Sequence, residues 1–216
     1  MSGVELTFRS CGTLTAIEAL TLPRFKPNEE GSKRNCINAA MSRLSNVLKQ
    51  WTGKSTVTVL YDSNLDEFTC EGLFSAVESR PDIAVVATTT DGDVFGFFYS
   101  VEVTEPEERF NDRGLFAFSL ESHGRCMTPQ RFPQKVGDGR GAYVKFWNDD
   151  SAEWFVFVAN EIGSFNLGNE RSTTMCANLS LVFEGLEDST LTGKTMGGSF
   201  LPSPFFCTRL VAVQLT

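Results

Sequence analysis

A pair of strand-like runs joined by an Asp-Gly dipeptide is the feature that most limits what this 216-residue chain can fold into. The runs from Ile83 to Thr88 and from Val94 to Val103 are rich in β-branched and aromatic side chains, which favour strands. Between them, Asp91 and Gly92 tolerate the positive φ angles of a two-residue type I′ turn. The stretch therefore predicts a β-hairpin, and Gly96 in its second strand predicts either a bulge or close approach by another backbone.

The same stretch also fits part of a calcium-binding loop. Asp91, Asp93, Gly96 and Glu102 occupy positions 1, 3, 6 and 12 of the EF-hand pattern. However, Phe95 stands at position 5, where an oxygen ligand is needed, and the flanking runs have strand character instead of helix character. The sequence therefore favours the hairpin, and no metal site is expected.

Runs of the same strand-like character recur through the rest of the chain. They cover residues 57–61, 115–120, 142–147, 153–159, 179–183 and 205–215. Short turns separate most of them, as at Asp62-Ser63-Asn64, and a short helix that Thr69 can cap follows the first run. Several strands with short turns predict an α+β, mainly β fold, namely a two-sheet antiparallel β-sandwich with flanking helices.

An amphipathic helix over about residues 32–51 is predicted before the first strand. Its apolar residues recur at three- and four-residue steps, Ser32 can cap its start, and Gly53 follows its end. This gives two predicted units, an N-terminal segment over residues 1–54 and a sandwich domain over residues 55–216.

The predicted helix is basic, whereas the rest of the chain is acidic. Residues 26–54 hold six Lys/Arg and two Asp/Glu, a net charge of +4, which leaves 13 minus 25, or −12, for the remainder. Its apolar stripe favours docking on the sandwich. The alternative is a helix that binds a partner, including nucleic acid, and its phosphate contacts would then be Lys33, Arg34, Arg43 and Lys49.

Overall composition indicates an intracellular protein. The net charge of −8 and the sequence pI of about 4.8 disfavour broad nucleic-acid binding. No apolar run approaches the roughly 20 residues that span a bilayer, and the first residues lack the features of a secretory signal. We expect a cytoplasmic location, with the nucleus as the alternative.

The cysteines and the single histidine limit the metal sites and catalytic groups that this chain can form. No two of the six cysteines are close enough for a Cys-x-x-Cys clamp, and His123 is the single histidine. Cys126 follows His123 and Arg125, which could activate its thiol, but the favoured interpretation is a turn whose cysteine begins the next strand. Cys126 and Cys176 are therefore the candidate peroxide-reactive thiols. No catalytic constellation emerges from the spacing, so we expect no enzyme activity and no cofactor.

Several separated segments resemble one known domain family. They are Leu60-Tyr61-Asp62-Ser63 followed by Asp66 and Phe74, the hairpin from residue 83 to Gly96 with its Gly-x-Val-Phe-Gly motif, the strand 115–120, residues 163–167 followed by Ser172 and Cys176, and Leu191-Thr192-Gly193 with the closing strand. In this order, over about residues 55–216, they are similar to a TLDc domain. Gly96-Phe97 replaces the usual double glycine, and Val211 to Leu215 replace the usual acidic-aromatic ending, so the chain resembles a divergent member.

The resemblance implies a two-sheet antiparallel sandwich with helices at its edges, a link to oxidative-stress resistance, and, as in several TLDc proteins, binding to the vacuolar proton pump (V-ATPase) and regulation of its assembly. No settled catalytic residues are known for the family. The residues that carry the motifs are expected to be structural; they are Tyr61, Asp62, Ser63, Asp91, Gly92, Phe95, Gly96, Leu191, Thr192 and Gly193. We therefore expect a non-enzymatic protein with a protein partner such as a V-ATPase subunit. The alternative is a DNA-associated stress regulator that uses the basic helix.

Overall fold

A computed structural model describes residues 45–135, 141–149, 154–160, 164–168, 174–193 and 203–216. Its helices are α1 (residues 45–52), α2 (Cys70–Val77) and α3 (Leu179–Val182). Its strands are β1 (Val57–Asp62), β2 (Ile83–Thr89), β3 (Val94–Tyr99), β4 (Phe110–Asn111), β5 (Phe116–Glu121), β6 (Gln130–Pro133), β7 (Tyr143–Phe146), β8 (Trp154–Ala159), β9 (Ser164–Gly168), β10 (Thr174–Ala177), β11 (Ser203–Phe205) and β12 (Cys207–Leu215).

The strands of the described residues form two antiparallel sheets of six strands each. Sheet A has the order β1-β12-β2-β3-β5-β6, and sheet B has the order β11-β10-β9-β8-β7-β4. This confirms the predicted mainly β fold with two antiparallel sheets and few helices. The last strand, β12, lies between β1 and β2, so sheet A is complete only when the C-terminal residues have paired.

The main core lies between the two sheets. Alternate residues of each strand face inwards, as the two-residue period of a strand requires. Phe95 and Phe97 of β3 contact Phe165 of β9 across this core, with ring centroids 6.1 and 5.9 Å apart. Helix α2 adds Leu73 and other apolar side chains to the same core.

A second apolar cluster covers the outer face of sheet A. Leu48 of α1 is fully buried there, and the ring of Trp51 lies 6.2 Å from Phe116 and 5.9 Å from Phe118. The side chain of Arg131 donates a hydrogen bond to the Trp51 carbonyl at 2.8 Å. The apolar side of α1 therefore packs on its own sandwich, as the docking interpretation predicts.

Helix α1 is the described end of the predicted helix over residues 32–51. It ends at residue 52, and Gly53 then takes φ +74° and donates its N–H to the Lys49 carbonyl at 2.7 Å, as a helix-ending glycine does. Residues 32–44 lie outside the described residues. No helix in the described part of the chain is long and apolar enough to cross a membrane.

The predicted hairpin is present, but its turn differs from the predicted type. Gly92 N–H donates to the Thr89 carbonyl at 3.0 Å, and Thr89 N–H donates to the Asp93 carbonyl at 3.0 Å. Gly92 has φ +85°, whereas Asp91 is not among the described residues with positive φ. The connection is therefore a three-residue loop with a glycine bulge instead of a two-residue type I′ turn.

Gly96 permits close approach of the neighbouring strand. A Cβ atom at this position would lie 1.9 Å from the Val85 carbonyl oxygen and 2.9 Å from Cζ of Phe118. The strand also carries an irregularity, which falls between Val94 and Phe95 in the pairing with β5. Close backbone approach is thus the reason for the glycine, and the bulge lies beside it.

One predicted strand is wrong. Residues 179–183 contain the short helix α3, with Leu179 and Val182 three residues apart and both buried in the main core. Asn178 before it has φ +49°, which turns the chain out of an extended path, and the Asp188 carboxylate accepts from Asn178 N–H and Ser180 N–H. Tertiary contacts therefore override the strand propensity of this apolar run.

We predict that Gly96→Ala lowers the free energy of unfolding by about 3 kcal/mol or more, because backbone atoms of Val85 must move to admit the methyl group. Urea denaturation of the purified chain measures this. Gly141→Ala is the matched control: a Cβ there would lie 3.6 Å from Oε1 of Gln134, an ordinary contact, so a change within about 0.5 kcal/mol is expected. Equal effects of the two substitutions would contradict the close-approach explanation.

Candidate functional site

The predicted motif residues gather in two places, and the first is the junction of β1 with β12. Asp62 and Arg209 form an ion pair there, with Nε–Oδ1 and Nη2–Oδ2 distances of 2.9 and 2.7 Å. Their side chains are only 1% and 2% exposed. A buried charge is stable only with a well-placed counter-ion and hydrogen bonds, so this pair holds one relative arrangement of the two strands.

Tyr61 and Ser63 complete this first place. The Tyr61 hydroxyl donates to the Glu67 carbonyl at 2.9 Å, and its ring is in the main core. Ser63 exchanges two hydrogen bonds with Leu210: Ser63 N–H donates to its carbonyl at 2.9 Å, and the Ser63 hydroxyl accepts from its N–H at 3.0 Å. Asp62 and Ser63 thus connect the end of β1 to β12, and Tyr61 connects it to the residues before α2.

The second place joins three loops around the buried carboxylate of Asp93. We call it the three-loop junction; it consists of residues 89–93 between β2 and β3, residues 122–126 after β5, and residues 187–193. Asp93 Oδ1 accepts from Arg125 Nη2 at 2.5 Å and contacts His123 Nδ1 at 2.9 Å. Asp93 N–H in turn donates to the Thr89 hydroxyl at 3.1 Å.

Arg125 links the third loop to the other two. Its Nε donates to the Thr190 carbonyl and its Nη2 to the Leu191 carbonyl, each at 3.1 Å. Gly193, at φ +69°, lies against the guanidinium: a Cβ there would be 3.0 Å from Arg125 Nη1. One buried carboxylate and one arginine therefore tie together segments that are about 100 residues apart in sequence.

His123 forms the exposed rim of the junction. It has φ +51°, and the Glu121 carboxylate accepts from its backbone N–H at 2.8 Å. The side chain is 54% exposed, and its ring packs beside Gly92. Across the residues placed by the structure, no hydroxyl or thiol is hydrogen-bonded to its Nε2, so a nucleophile-base pair is not formed there.

The motif residues divide between this junction and the interior. Gly92, Leu191, Thr192 and Gly193 lie at the junction, and Leu191 also reaches the main core. The Thr192 hydroxyl is buried and has no hydrogen-bond partner in the described structure. Phe95 and Gly96, in contrast, serve the packing between and within the sheets. Asp91 lies at the exposed tip of the hairpin.

The three described cysteines differ in environment. Cys126 is partly buried, and its backbone N–H donates to the Ser122 hydroxyl at 2.7 Å. Cys70 and Cys207 are buried, and burial raises the pKa of the Cys207 thiol to about 12. Cys176 lies in β10, where its backbone pairs with β9 and β11 and its side chain is outside the described residues.

Of the predicted phosphate-contacting residues, Lys49 lies on α1 and is partly buried, whereas Lys33, Arg34 and Arg43 lie outside the described residues. Among the described residues, no three His, Cys, Asp or Glu side chains form a group that could hold a metal ion.

Sequence reasoning missed the partners that organise both places. Arg209 is a lone charge in the apolar run from Cys207 to Leu215, and such a residue requires a buried counter-ion. That signal could have been used to predict an ion pair, although not with Asp62. Asp93 was considered only as a calcium ligand, and Arg125 and His123 only as neighbours of Cys126. Their common partner depends on strand order, which no local pattern contains.

We predict that Arg125→Ala loosens all three loops, because it leaves the Asp93 carboxylate buried without its cation. The free energy of unfolding should fall by about 2–3 kcal/mol. Amide hydrogen exchange should become faster in residues 122–126 and 187–193. Arg113→Ala removes an exposed arginine of the same size and should change neither measurement. Unchanged exchange in residues 187–193 would show that Arg125 does not hold the third loop.

A second prediction concerns the thiols. In the native protein, a thiol-labelling reagent should modify Cys126 before Cys70 and Cys207, as peptide mass spectrometry would show.

Because the Cys207 pKa is about 12 in the folded protein and its ordinary value is 9.0, the Cys207 thiol of the unfolded chain loses its proton first as pH rises. Stability should therefore be full below pH 9 and decrease between pH 9 and 12. The decrease should be smaller in Cys207→Ala, whereas a Cys126→Ala control should keep it.

Comparison with known families supports the motifs that lie before residue 151. A model of the TLDc domain matches residues 32–151, which is more than half of the chain. The matched segment includes the hairpin and the first two loops of the three-loop junction, while residues 187–193 and β12 lie beyond it. A comparison with curated proteins finds no match. On the strength of the matched segment, the chain belongs to the TLDc domain family.

Proposed function

We propose that this chain is a non-enzymatic, cytoplasmic TLDc protein that acts through protein-protein contact, either in oxidative-stress protection or in regulation of the V-ATPase. The TLDc domain is a protein-interaction domain, and its family is linked to oxidative stress. The V-ATPase as partner, the cytoplasmic location and the lack of enzyme activity all belong to this proposal.

The observation that carries the proposal is the three-loop junction and the side chain that it displays. Met127, directly after the junction's second loop, is 92% exposed. Methionine is enriched at protein interfaces, where its flexible side chain adapts to a partner. The Asp93–Arg125 ion pair fixes the backbone on one side of it, so less conformational entropy is lost when a partner binds.

The chemistry of the junction supports contact over catalysis. Asp93 engages the cation of Arg125 and one ring nitrogen of His123, and both interactions position loops. Because both contacts hold loops in place, the junction supports a role in presenting a binding surface.

The proposal predicts that the immobilised full chain retains V-ATPase subunits from cell extract. Met127→Glu should reduce the retained amount about tenfold, because a carboxylate replaces an apolar contact. The matched control is Leu181→Glu, which makes the same kind of change at a 50% exposed side chain of α3. Quantitative mass spectrometry of the retained subunits provides the measurement.

Each outcome bears on the proposal. Loss of retention in Met127→Glu with full retention in Leu181→Glu supports contact through the junction. Equal loss in both variants, with unchanged unfolding curves, would place the contact elsewhere. Retention of no V-ATPase subunit would overturn the pump part of the proposal and leave oxidative-stress protection, which peroxide survival of cells expressing Met127→Glu or Cys126→Ser would then test.

A further inference from the structure

The outer face of sheet B carries a row of aromatic side chains. Val144 and Phe146 of β7 face the main core. Tyr143 and Lys145 alternate with them along the strand and therefore lie on the opposite face. On β8, Phe157 is paired with Lys145 across the strands and lies on the same outer face.

These rings form a continuous chain of contacts, which we call the aromatic row. Tyr143 and Phe157 have ring centroids 5.7 Å apart, Phe157 and Trp147 are 6.4 Å apart, and Trp147 and Trp154 are 6.1 Å apart. All four side chains are partly exposed, and Trp147 also packs against the main core. Tyrosine and tryptophan are the residues that most often carry binding energy at protein interfaces.

Two cations lie on the row. The guanidinium of Arg109 is 4.9 Å from the centre of the Tyr143 ring, and the Lys145 ammonium is 4.8 Å from that of Trp147. Among the described residues, no carboxylate lies within ion-pair distance of either cation. Two cations thus lie together on one aromatic face in a chain of net charge −8.

The same face contains polar groups that are not satisfied. Asn166 alternates with the core residues Phe165 and Leu167, and it is paired with Phe157 across β8 and β9. Its Oδ1, and Nε1 of Trp154, are buried without a hydrogen-bond partner in the part of the chain that the structure describes. Buried polar atoms without partners cost free energy.

The described helices pack elsewhere. Helix α1 covers the outer face of sheet A, and the buried side chains of α2 and α3 enter the main core. The two outer faces thus differ: sheet A presents an aliphatic and phenylalanine surface to α1, and sheet B presents the aromatic row with its cations.

We propose that the aromatic row binds an acidic segment of a partner protein. Apolar side chains of the segment pack on the partly exposed rings of Phe157 and Trp154, and its carboxylates pair with Arg109 and Lys145, which provides charge complementarity. Single-stranded nucleic acid is the other anion that binds aromatic residues beside cations, but base stacking needs free ring faces. Here the cations already lie over Tyr143 and Trp147.

This inference rests on the proposed function, because it names the chemistry of a partner for a protein that acts by contact. It adds a second surface to the one that displays Met127. A partner that uses both surfaces would bind more tightly than through either alone.

The test is a titration of the purified full chain with a dye-labelled synthetic peptide rich in glutamate and leucine, followed by fluorescence anisotropy. We expect binding that weakens as salt is raised. The double variant Arg109→Gln/Lys145→Gln should bind about tenfold more weakly, since both acidic contacts are lost. Arg80→Gln/Lys135→Gln makes the same change of charge on other elements and should bind as the unmodified chain does.

Three results would overturn the proposal. They are no binding of the glutamate peptide, equal binding of a peptide in which glutamine replaces glutamate, or equal weakening by the two double variants. Tighter binding of labelled oligothymidine than of the peptide would assign the row to nucleic acid instead.

The two proposals fail separately. If Arg109→Gln/Lys145→Gln loses the peptide but still retains V-ATPase subunits, the row binds a different acidic partner and the pump contact lies elsewhere. If the peptide binds the row but the full chain retains no pump subunit, the acidic-partner inference stands and the pump part of the proposed function falls.

Discussion

The ion pair between Asp62 and Arg209 is the constraint on which sheet A depends. It joins the end of the first strand to the last strand, and both charges are removed from water. Losing one partner would leave an uncompensated buried charge, which costs about 3–5 kcal/mol, so the pair tolerates little shift in register. Because β12 lies between β1 and β2, its position connects the first strand to the rest of sheet A. Strand β2 of the hairpin that carries Asp93 pairs directly with β12.

The inner and outer faces of the two sheets pack against different parts of the protein. The inner faces form one core, and the outer face of sheet A is covered at Leu48 and Trp51 by α1. At the three-loop junction, the buried Asp93 carboxylate accepts a hydrogen bond from Arg125. Arg125 also donates to a backbone carbonyl in residues 187–193, so all three loops are connected. Ion pairs and hydrogen bonds thereby position the loops, and the surfaces proposed for partners, Met127 and the aromatic row, need no movement of the sheets to be presented.

The hairpin illustrates how far local patterns can be used. The β-branched and aromatic runs around the Asp91-Gly92 dipeptide were enough to predict its strands, and Gly96 was enough to predict either a bulge or close backbone approach. The turn type was wrong because both an Asp-Gly type I′ turn and a three-residue loop with a glycine bulge satisfy the same local preferences, and pairing of Thr89 with Asp93 selects the second. The run at residues 179–183 was wrong for a related reason: a short apolar run suits a strand and a buried helix equally, and contacts with Asp188 decide between them.

By itself, the sequence determined seven of the twelve described strands, where the N-terminal helix ends at Gly53, and the family to which the chain belongs; the seven strands are β1, β2, β3, β5, β7, β8 and β12. These properties depend on side chains that are neighbours along the chain, so a periodic pattern records them. Only the tertiary structure decided that Arg209 meets Asp62, that Asp93 holds Arg125 and His123, and that Arg109 and Lys145 lie over aromatic rings. Such contacts depend on the order of strands in the sheets, and sequences with the same local pattern can be arranged in many orders.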